Sequence, residues 1–266
     1  MKKVIVTGGA GFLGSHLVDE LVKKKYKVIV IDNLSNGKLK NLNKSRNKIK
    51  FVKADISKYG VWTSYFKKDI NCIIHLAALA DIVPSINYPE KYYKTNVTGT
   101  VNLLNLARQN NIKKFIYSAS SSCYGIPKKY PTNEKDKINP LYPYALTKKI
   151  GEDFVLHWSK IYNIQATSLR FFNIYGTRSR TSGSYGAMFG VFLSQKINNK
   201  PFTVVGNGNQ KRDFIFVSDA VSAIIKSLSL KQKNLVLNIG CGKPITINHI
   251  CKLLKGKKIY IPKRPG

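Results

Sequence analysis

The stretch that most constrains this chain is its start, from Met1 to Asp32. Val4-Ile5-Val6 is a short apolar run that reads as a buried strand, and Gly8, Gly11 and Gly14 follow it at once. Phe12, Leu13, Leu17, Val18, Leu21 and Val22 then recur at helical spacing. A second apolar run, Val28-Ile29-Val30-Ile31, ends in Asp32. Strand, glycine turn, helix, strand and acid is the order of parts in a βαβ dinucleotide-binding unit.

Each part has a physical reason. A glycine turn lets backbone approach a pyrophosphate because no Cβ stands in the way. The helix that begins there points unpaired N–H groups and a positive dipole end at the phosphates. Gly14 allows that helix to pack closely on the sheet. Asp32 can accept from both ribose hydroxyls of an adenosine, and its charge repels a 2′-phosphate. NAD is therefore expected rather than NADP. The competing reading of the glycines is an ordinary turn, which would not need the second strand and its acid.

The chain has 266 residues, enough for one large α/β domain with or without a smaller lobe. No apolar run approaches the length of a membrane span. Met1-Lys2-Lys3 ahead of Val4 resembles the start of a signal peptide, but the apolar run breaks into glycines too soon. Cytoplasmic location follows as the default. Cys72, Cys123, Cys241 and Cys251 show neither disulfide nor metal spacing, and His16, His75, His157 and His249 are scattered. No metal site is expected.

The formal charge is +32. A polyanion partner such as nucleic acid or an anionic surface is one reading. Compositional bias is the other, and the spread of lysines in twos and threes along the whole chain favours it. No nucleic-acid-binding signature is present, so nucleic acid stays a minor hypothesis.

Beyond Asp32, strand and helix signals alternate, which predicts a parallel sheet covered on both faces. Strands are expected at 49–55, 72–78, 114–118 and 165–170, and helices at 57–66, 88–110 and 144–162. Residues 178–190 form a Gly/Ser/Thr-rich loop of the kind that is usually functional. The expected class is α/β: a Rossmann-like doubly wound parallel sheet with a smaller α/β substrate lobe at the C-terminal side. The expected division is a dinucleotide-binding domain at 1–170, with 211–230 returning to it, and a substrate lobe at 171–266.

Tyr144 and Lys148 stand four apart, on one face of the expected helix. Reversible hydride transfer at a secondary alcohol wants this pair. A phenol has a pKa of about 10, and a nearby ammonium together with the positive nicotinamide ring favours its phenolate and lowers that pKa. A plain surface helix pair is the alternative; the position after the fifth strand of a dinucleotide fold speaks against it. Ser118-Ala119-Ser120-Ser121-Ser122-Cys123-Tyr124-Gly125 follows that strand and would face the cleft. A serine here can hydrogen-bond the reacting oxygen, or simply cap the strand end.

Taken together, Gly8/Gly11/Gly14, Asp32, Asp55, His75-Leu76-Ala77-Ala78, Asn96, the Ser-rich turn ending Tyr124-Gly125, and Tyr144/Lys148 resemble an extended short-chain dehydrogenase/reductase. Asp32-Asn33-Leu34-Ser35-Asn36-Gly37, Arg170-Phe171-Phe172-Asn173-Ile174-Tyr175-Gly176 and Arg212-Asp213-Phe214-Ile215-Phe216-Val217-Ser218-Asp219 resemble the nucleotide-sugar epimerase/dehydratase branch, nearest to UDP-glucose and UDP-N-acetylglucosamine 4-epimerases. The resemblance covers essentially the whole chain.

It implies NAD held by Gly8, Gly11, Phe12, Leu13, Gly14, Asp32, Asn33, Asp55, Ile56, Leu76, Ala77, Ala78, Asn96, Tyr144 and Lys148. Asp55 would contact the adenine, and Asn96 would lie beside the cofactor. Ser120, Tyr144 and Lys148 would be catalytic, with Tyr144 as base. Ser120, Ser121, Ser122 and Tyr144 would meet the sugar. Asn173, Arg212 and Arg264 would bind the sugar diphosphate, and Val204, in the segment 202–206, would line the nucleotide base largely through backbone. Arg212 has its own rationale, since guanidinium suits bidentate phosphate contact; an ion pair with Asp213 is the alternative.

The implied reaction is 4-epimerisation of a nucleotide-sugar, most simply a UDP-sugar: oxidation of the C4 hydroxyl to a transient 4-keto sugar, then reduction from the other face. Part of the positive charge would steer the doubly charged substrate inward. A simple 4-dehydrogenase is an alternative. A 4,6-dehydratase needs an extra acid and base, and dehydratases of this branch carry an Asp-Glu pair where this chain has Ser121 and Ser122. The loop 178–190 and Ala80-Asp81-Ile82-Val83-Pro84-Ser85 depart from the best-known galactose epimerases, so the sugar is open. A non-catalytic NAD(H)-sensing or polyanion-binding protein is the remote reading, which leaves Ser120, Tyr144 and Lys148 without purpose. The chain stops at Gly266, where this branch usually continues, so the substrate lobe is expected to be truncated. A homodimer through the two long helices is expected, with Tyr92, Tyr93 and Trp158 as candidate contacts or core residues.

Overall fold

The computed structural model describes residues 1–127, 129–181 and 188–263. In chain order its elements are β1 (Lys3–Thr7), α1 (Phe12–Lys23), β2 (Lys27–Asp32), β3 (Ile49–Lys53), β4 (Cys72–His75), α2 (Ile82–Asn87), α3 (Pro89–Tyr92), α4 (Gly99–Gln109), β5 (Lys114–Ser120), α5 (Pro143–Ile161) and β6 (Gln165–Phe171). Then come β7 (Asn173–Tyr175), α6 (Met188–Ile197), β8 (Phe202–Val205), β9 (Lys211–Arg212), β10 (Phe214–Phe216), α7 (Val217–Ser227), β11 (Leu235–Ile239), β12 (Ile245–Thr246), α8 (Ile247–Leu253) and β13 (Lys258–Ile261).

Among the described residues, the main sheet has the order β11-β6-β5-β4-β1-β2-β3, and its pairs are parallel. The chain moves outward from β1 to β3 and then returns to β4 on the other side of β1. That reversal opens a crevice outside the C-terminal ends of β1 and β4, where open α/β sheets bind ligands. Central strands are apolar on both faces because both faces are covered. Leu17, Val18 and Leu21 of α1 pack with Val221 and Ile224 of α7 on one side. On the other, Leu103 and Leu104 of α4 and Val155 of α5 pack against Ile5, Ile73 and Phe115. Truncating a residue so enclosed, such as Leu103, costs about 2–5 kcal/mol. The fold class expected from the sequence is met.

Residues 235–239 supply the edge strand beside β6, with Val236 opposite Ser168. A smaller core gathers Phe192, Phe202, Val204, Ile247, Ile250 and Cys251, with the Phe192 and Phe202 rings stacked 4.8 Å apart.

Local structure departs from expectation in places. The helix expected at 57–66 is one short 3-10 turn, Val61–Tyr65. Gly60 adopts extended backbone just before it, and Trp62 turns its Nε1 back to the Lys58 carbonyl. The helix expected at 88–110 is α3, a π turn over Tyr93–Thr98, and α4. Part of the loop 178–190, residues 182–187, lies outside the described residues, as does Arg264.

Candidate active site

The glycine turn is fixed by its own backbone. Gly8 has φ +71°, a conformation that favours glycine, and its N–H donates to the Ile31 carbonyl at 2.8 Å. A Cβ on Gly14 would fall 2.1 Å from the Gly8 carbonyl oxygen, so α1 can approach the turn only with glycine there. Gly11 is the N-cap of α1, and no side chain among the described residues caps the first amides of the helix. They are left for an anion.

Asp32 is buried at the end of β2. Its Oδ2 accepts from the Ala10 N–H at 2.9 Å and its Oδ1 from the Leu34 N–H at 2.8 Å. Burial raises its pKa, and those two amides pull the other way. Each oxygen keeps a lone pair for a further donor. Asn33 is exposed beside it, and its Oδ1 accepts from Ser35 N–H. Asp55 is exposed and accepts from the backbone and hydroxyl of Ser57. Ile56 is buried, while Phe12, Leu13, Leu76, Ala77 and Ala78 are half-buried.

A buried polar chain shapes the exit of β4. The Thr100 hydroxyl donates to the Asn96 carbonyl at 2.6 Å, so His75 donates to Thr100 through Nε2 (2.9 Å) and accepts from Thr7 through Nδ1 (2.7 Å). Burial, then the Lys148 charge, hold the His75 pKa well below its ordinary value, which keeps the ring neutral as this pattern requires. Asn96, inside the π turn, exchanges two hydrogen bonds with the Leu79 backbone and donates to the Thr147 hydroxyl at 3.1 Å. Its amide is thus spent bracing the β4 loop against α5, and it acts on the crevice through that loop.

Ser120 ends β5. Its Oγ meets the Ser122 Oγ and accepts from the Ser122 N–H at 3.2 Å. The Tyr144 hydroxyl lies near enough to both serines for their hydroxyls to lower its pKa. Lys148, one turn along α5, is buried with Nζ 4.3 Å from the centre of the Tyr117 ring. Burial draws the Lys148 pKa down to about 7, and the Glu152 charge resists that fall. Tyr144 keeps some exposed surface, yet its hydroxyl sits deep, and burial raises its pKa above the usual value despite the serines.

Sequence reasoning missed the support beneath this group. Glu152 lies one turn beyond Lys148 and is buried. Its carboxylate accepts from Arg170 Nη2 at 2.6 Å, from Arg170 Nε at 3.0 Å and from the Ser168 hydroxyl at 2.7 Å. Arg170 Nη1 donates to the Tyr124 hydroxyl at 2.6 Å and to the Glu134 carbonyl at 3.1 Å. The Tyr124 hydroxyl in turn donates to Asn238 on β11 at 2.8 Å. The network ties α5, β6, β11 and the Ser-rich turn together. Its available signal was the repeat of Tyr144, Lys148 and Glu152 every four residues.

The opposite wall is looser. Asn173 is exposed, and its Nδ2 donates to the Asp213 carbonyl at 2.9 Å. Arg212 is exposed, and its Nη1 donates to the Lys211 carbonyl at 3.0 Å. The Asp213 carboxylate accepts from the N–H groups of Cys241 (2.8 Å) and Gly242 (2.7 Å), and among the described residues it forms no ion pair with Arg212. Val204 is fully buried in the smaller core, so only its backbone can reach a ligand. Ser121 is half-buried beside Ser120.

Residues 4–240 match the model of the NAD dependent epimerase/dehydratase family. The chain belongs to that family. A UDP-N-acetylglucosamine 4-epimerase from Methanobrevibacter ruminantium M1, solved in complex with UDP-N-acetylmuramic acid, is 35% identical and superposes with a TM-score of 0.94 over 100% of this chain and 86% of that one. A UDP-glucose 4-epimerase from Thermotoga maritima, solved with UDP-glucose, is 34% identical with a TM-score of 0.94, covering 99% of this chain and 87% of that one. A UDP-glucose 4-epimerase from Mycolicibacterium smegmatis is 34% identical over 90% of this chain and 77% of its own length.

NAD is the cofactor of this epimerase/dehydratase family, and the residues present fit it. A Cβ would fill the glycine cradle, Asp32 holds a carboxylate at the end of β2, and Lys148 is a buried cation. Among the described residues, none engages Lys148 Nζ as a hydrogen-bond acceptor. That is the donor a bound ribose would use.

Proposed function

We propose that this chain is an NAD-dependent nucleotide-sugar 4-epimerase acting on a UDP-sugar. The observation that carries the reading is the Tyr144 hydroxyl beside Ser120 and Ser122 at the end of β5, with the buried Lys148 one turn along α5. When bound, NAD supplies reversible removal of hydride from the sugar C4. The protein moves the proton. Tyr144 takes it from the 4-hydroxyl as the 4-keto sugar forms, and returns it to the same oxygen after the ring has turned over. One of the two serine hydroxyls donates to the phenolate while it exists, the other donating to its neighbouring serine, and the Lys148 ammonium adds positive charge below them. Burial raises the phenol, and the two serines oppose that rise.

The sugar is read by Ser120, Ser121 and Ser122, and its diphosphate by Asn173, Arg212 and Arg264. Asp32 takes the adenosine ribose, with Asp55 toward the adenine. In this reading residues 1–170 with 211–230 form the dinucleotide-binding unit, and the remainder of 171–266 covers the substrate. Leu146 and Ile161 on α5, and Tyr93 beside α4, are exposed apolar surface that a homodimer would cover. No helix among the described residues is long and apolar enough to cross a membrane. We place the enzyme in the cytoplasm, with part of the charge steering its anionic substrate and no role in binding nucleic acid.

A 4,6-dehydratase is disfavoured by the residues after Ser120, which offer hydroxyls and no carboxylate. A 4-dehydrogenase differs only in releasing the keto sugar. Incubation with NAD and a panel of UDP-sugars, with products resolved by NMR, tests the reading. A C4 epimer with no net NADH is expected; a released 4-keto or 6-deoxy product would overturn it.

A further inference from the structure

The segment after β7 crosses the crevice. The Thr177 carbonyl accepts from His16 Nε2 at 3.0 Å, and Arg178 pairs with Asp19 at 2.7 Å, so residues 177–178 are laid along α1. Arg180 then reaches away from α1. Its Nη1 donates to Asn36 Oδ1 at 3.3 Å, in the loop after β2, and its Nη2 pairs with Asp81, in the loop after β4. In the sheet, β1 lies between β2 and β4. The guanidinium therefore bridges the loops on either side of β1, across the crevice into which the glycine turn opens.

Both bridged loops are tied to that turn. The Lys38 N–H donates to the Ala10 carbonyl at 3.0 Å, and the Leu76 N–H to the Thr7 carbonyl at 3.1 Å. Asp81 fixes the cation, while the Arg180 side chain remains 43% exposed. A planar guanidinium so placed faces the anion that the uncapped amides of α1 attract, and its fork matches phosphate oxygens.

We propose that Arg180 is a binding residue for the diphosphate of the dinucleotide, closing the cradle on the side opposite the glycine turn, with Asp81 and Asn36 orienting it. This rests on NAD as cofactor and not on the epimerase reading. A nucleotide-sugar also carries a diphosphate, so the test separates the two sources. The affinities of purified wild type, Arg180→Ala and Arg180→Gln for NAD, ADP-ribose, adenosine and UDP are measured by calorimetry, with thermal melting as a check on folding. Loss of a charged hydrogen-bonding pair predicts NAD and ADP-ribose binding weakened roughly 10- to 100-fold. Adenosine and UDP should change less than about twofold, below what a lost charged contact costs. NAD should also leave the variant faster. Unchanged NAD and ADP-ribose affinity, a loss confined to UDP, or an equal loss for adenosine would each overturn the proposal. Arg180→Gln keeps a polar side chain without the charge and gives the same reading should the alanine variant fail to fold.

Discussion

The two walls of the crevice are built differently. On the sheet side, Tyr144 and Lys148 rest on a buried carboxylate, Glu152, held by a guanidinium that itself reaches two further elements. On the cap side, Asn173 and Arg212 are exposed, and their side chains bond to carbonyls of the adjoining strand residues. The first wall must fix a proton carrier to within a hydrogen bond. The second must let a large, flexible substrate in and let its sugar turn. Buried charge suits the first task, because removing either partner strands the other in low dielectric. Solvated cations suit the second, because little structure depends on them.

The largest expected contrast is chemical. Tyr144→Phe removes the proton carrier and should lower kcat by about 10²- to 10⁴-fold while NAD affinity stays near wild type. Steady-state kinetics and calorimetry read the two separately; an active phenylalanine variant breaks the assignment. Next is stability. Arg170→Ala removes both short guanidinium bonds to the buried Glu152 and leaves it only the Ser168 hydroxyl and Lys149 at 3.8 Å, which should cost about 3 kcal/mol in denaturant unfolding. Arg212→Ala should leave unfolding unchanged within about 0.5 kcal/mol. Equal costs at the two sites would erase the distinction between the walls. In turnover the second variant should raise KM for a UDP-sugar by roughly 10-fold through a lost charged hydrogen bond, with kcat little altered.

A further contrast is a slope with pH. Burial lowers the Lys148 pKa from its ordinary value of 10.5 to about 7. Between those values the unfolded chain holds a proton that the folded chain has released, so stability rises with pH across that window. Lys148→Met, measured by melting at several pH values, should flatten this rise and stabilise the fold most at acidic pH. A slope identical to wild type would show that Lys148 does not carry it.

Much of the sheet-side wall was legible in the chain because its signals are local. The glycine turn, Asp32, and the Tyr144–Lys148 spacing each lie within a few residues of the element that positions them. Glu152–Arg170 was not, because the partners sit on a helix and a strand joined by a turn, and only the packed sheet brings them together. Arg180 was harder still: its partners are 144 and 99 residues away. The helix expected at 57–66 failed for a local reason, the extended backbone at Gly60. The burial of the Tyr144 hydroxyl, which raises its pKa more than Ser120 and Ser122 lower it, was not legible either. Composition and spacing do not report burial of a single hydroxyl.

The most direct test of the central claim uses a UDP-sugar deuterated at C4, incubated with the protein and NAD and followed by NMR. The C4 epimer should accumulate with the deuterium still at C4 and no net NADH. A keto sugar released with NADH, or an epimer that has lost its label to water, would contradict proton transfer by Tyr144 within a closed oxidation and reduction at that carbon.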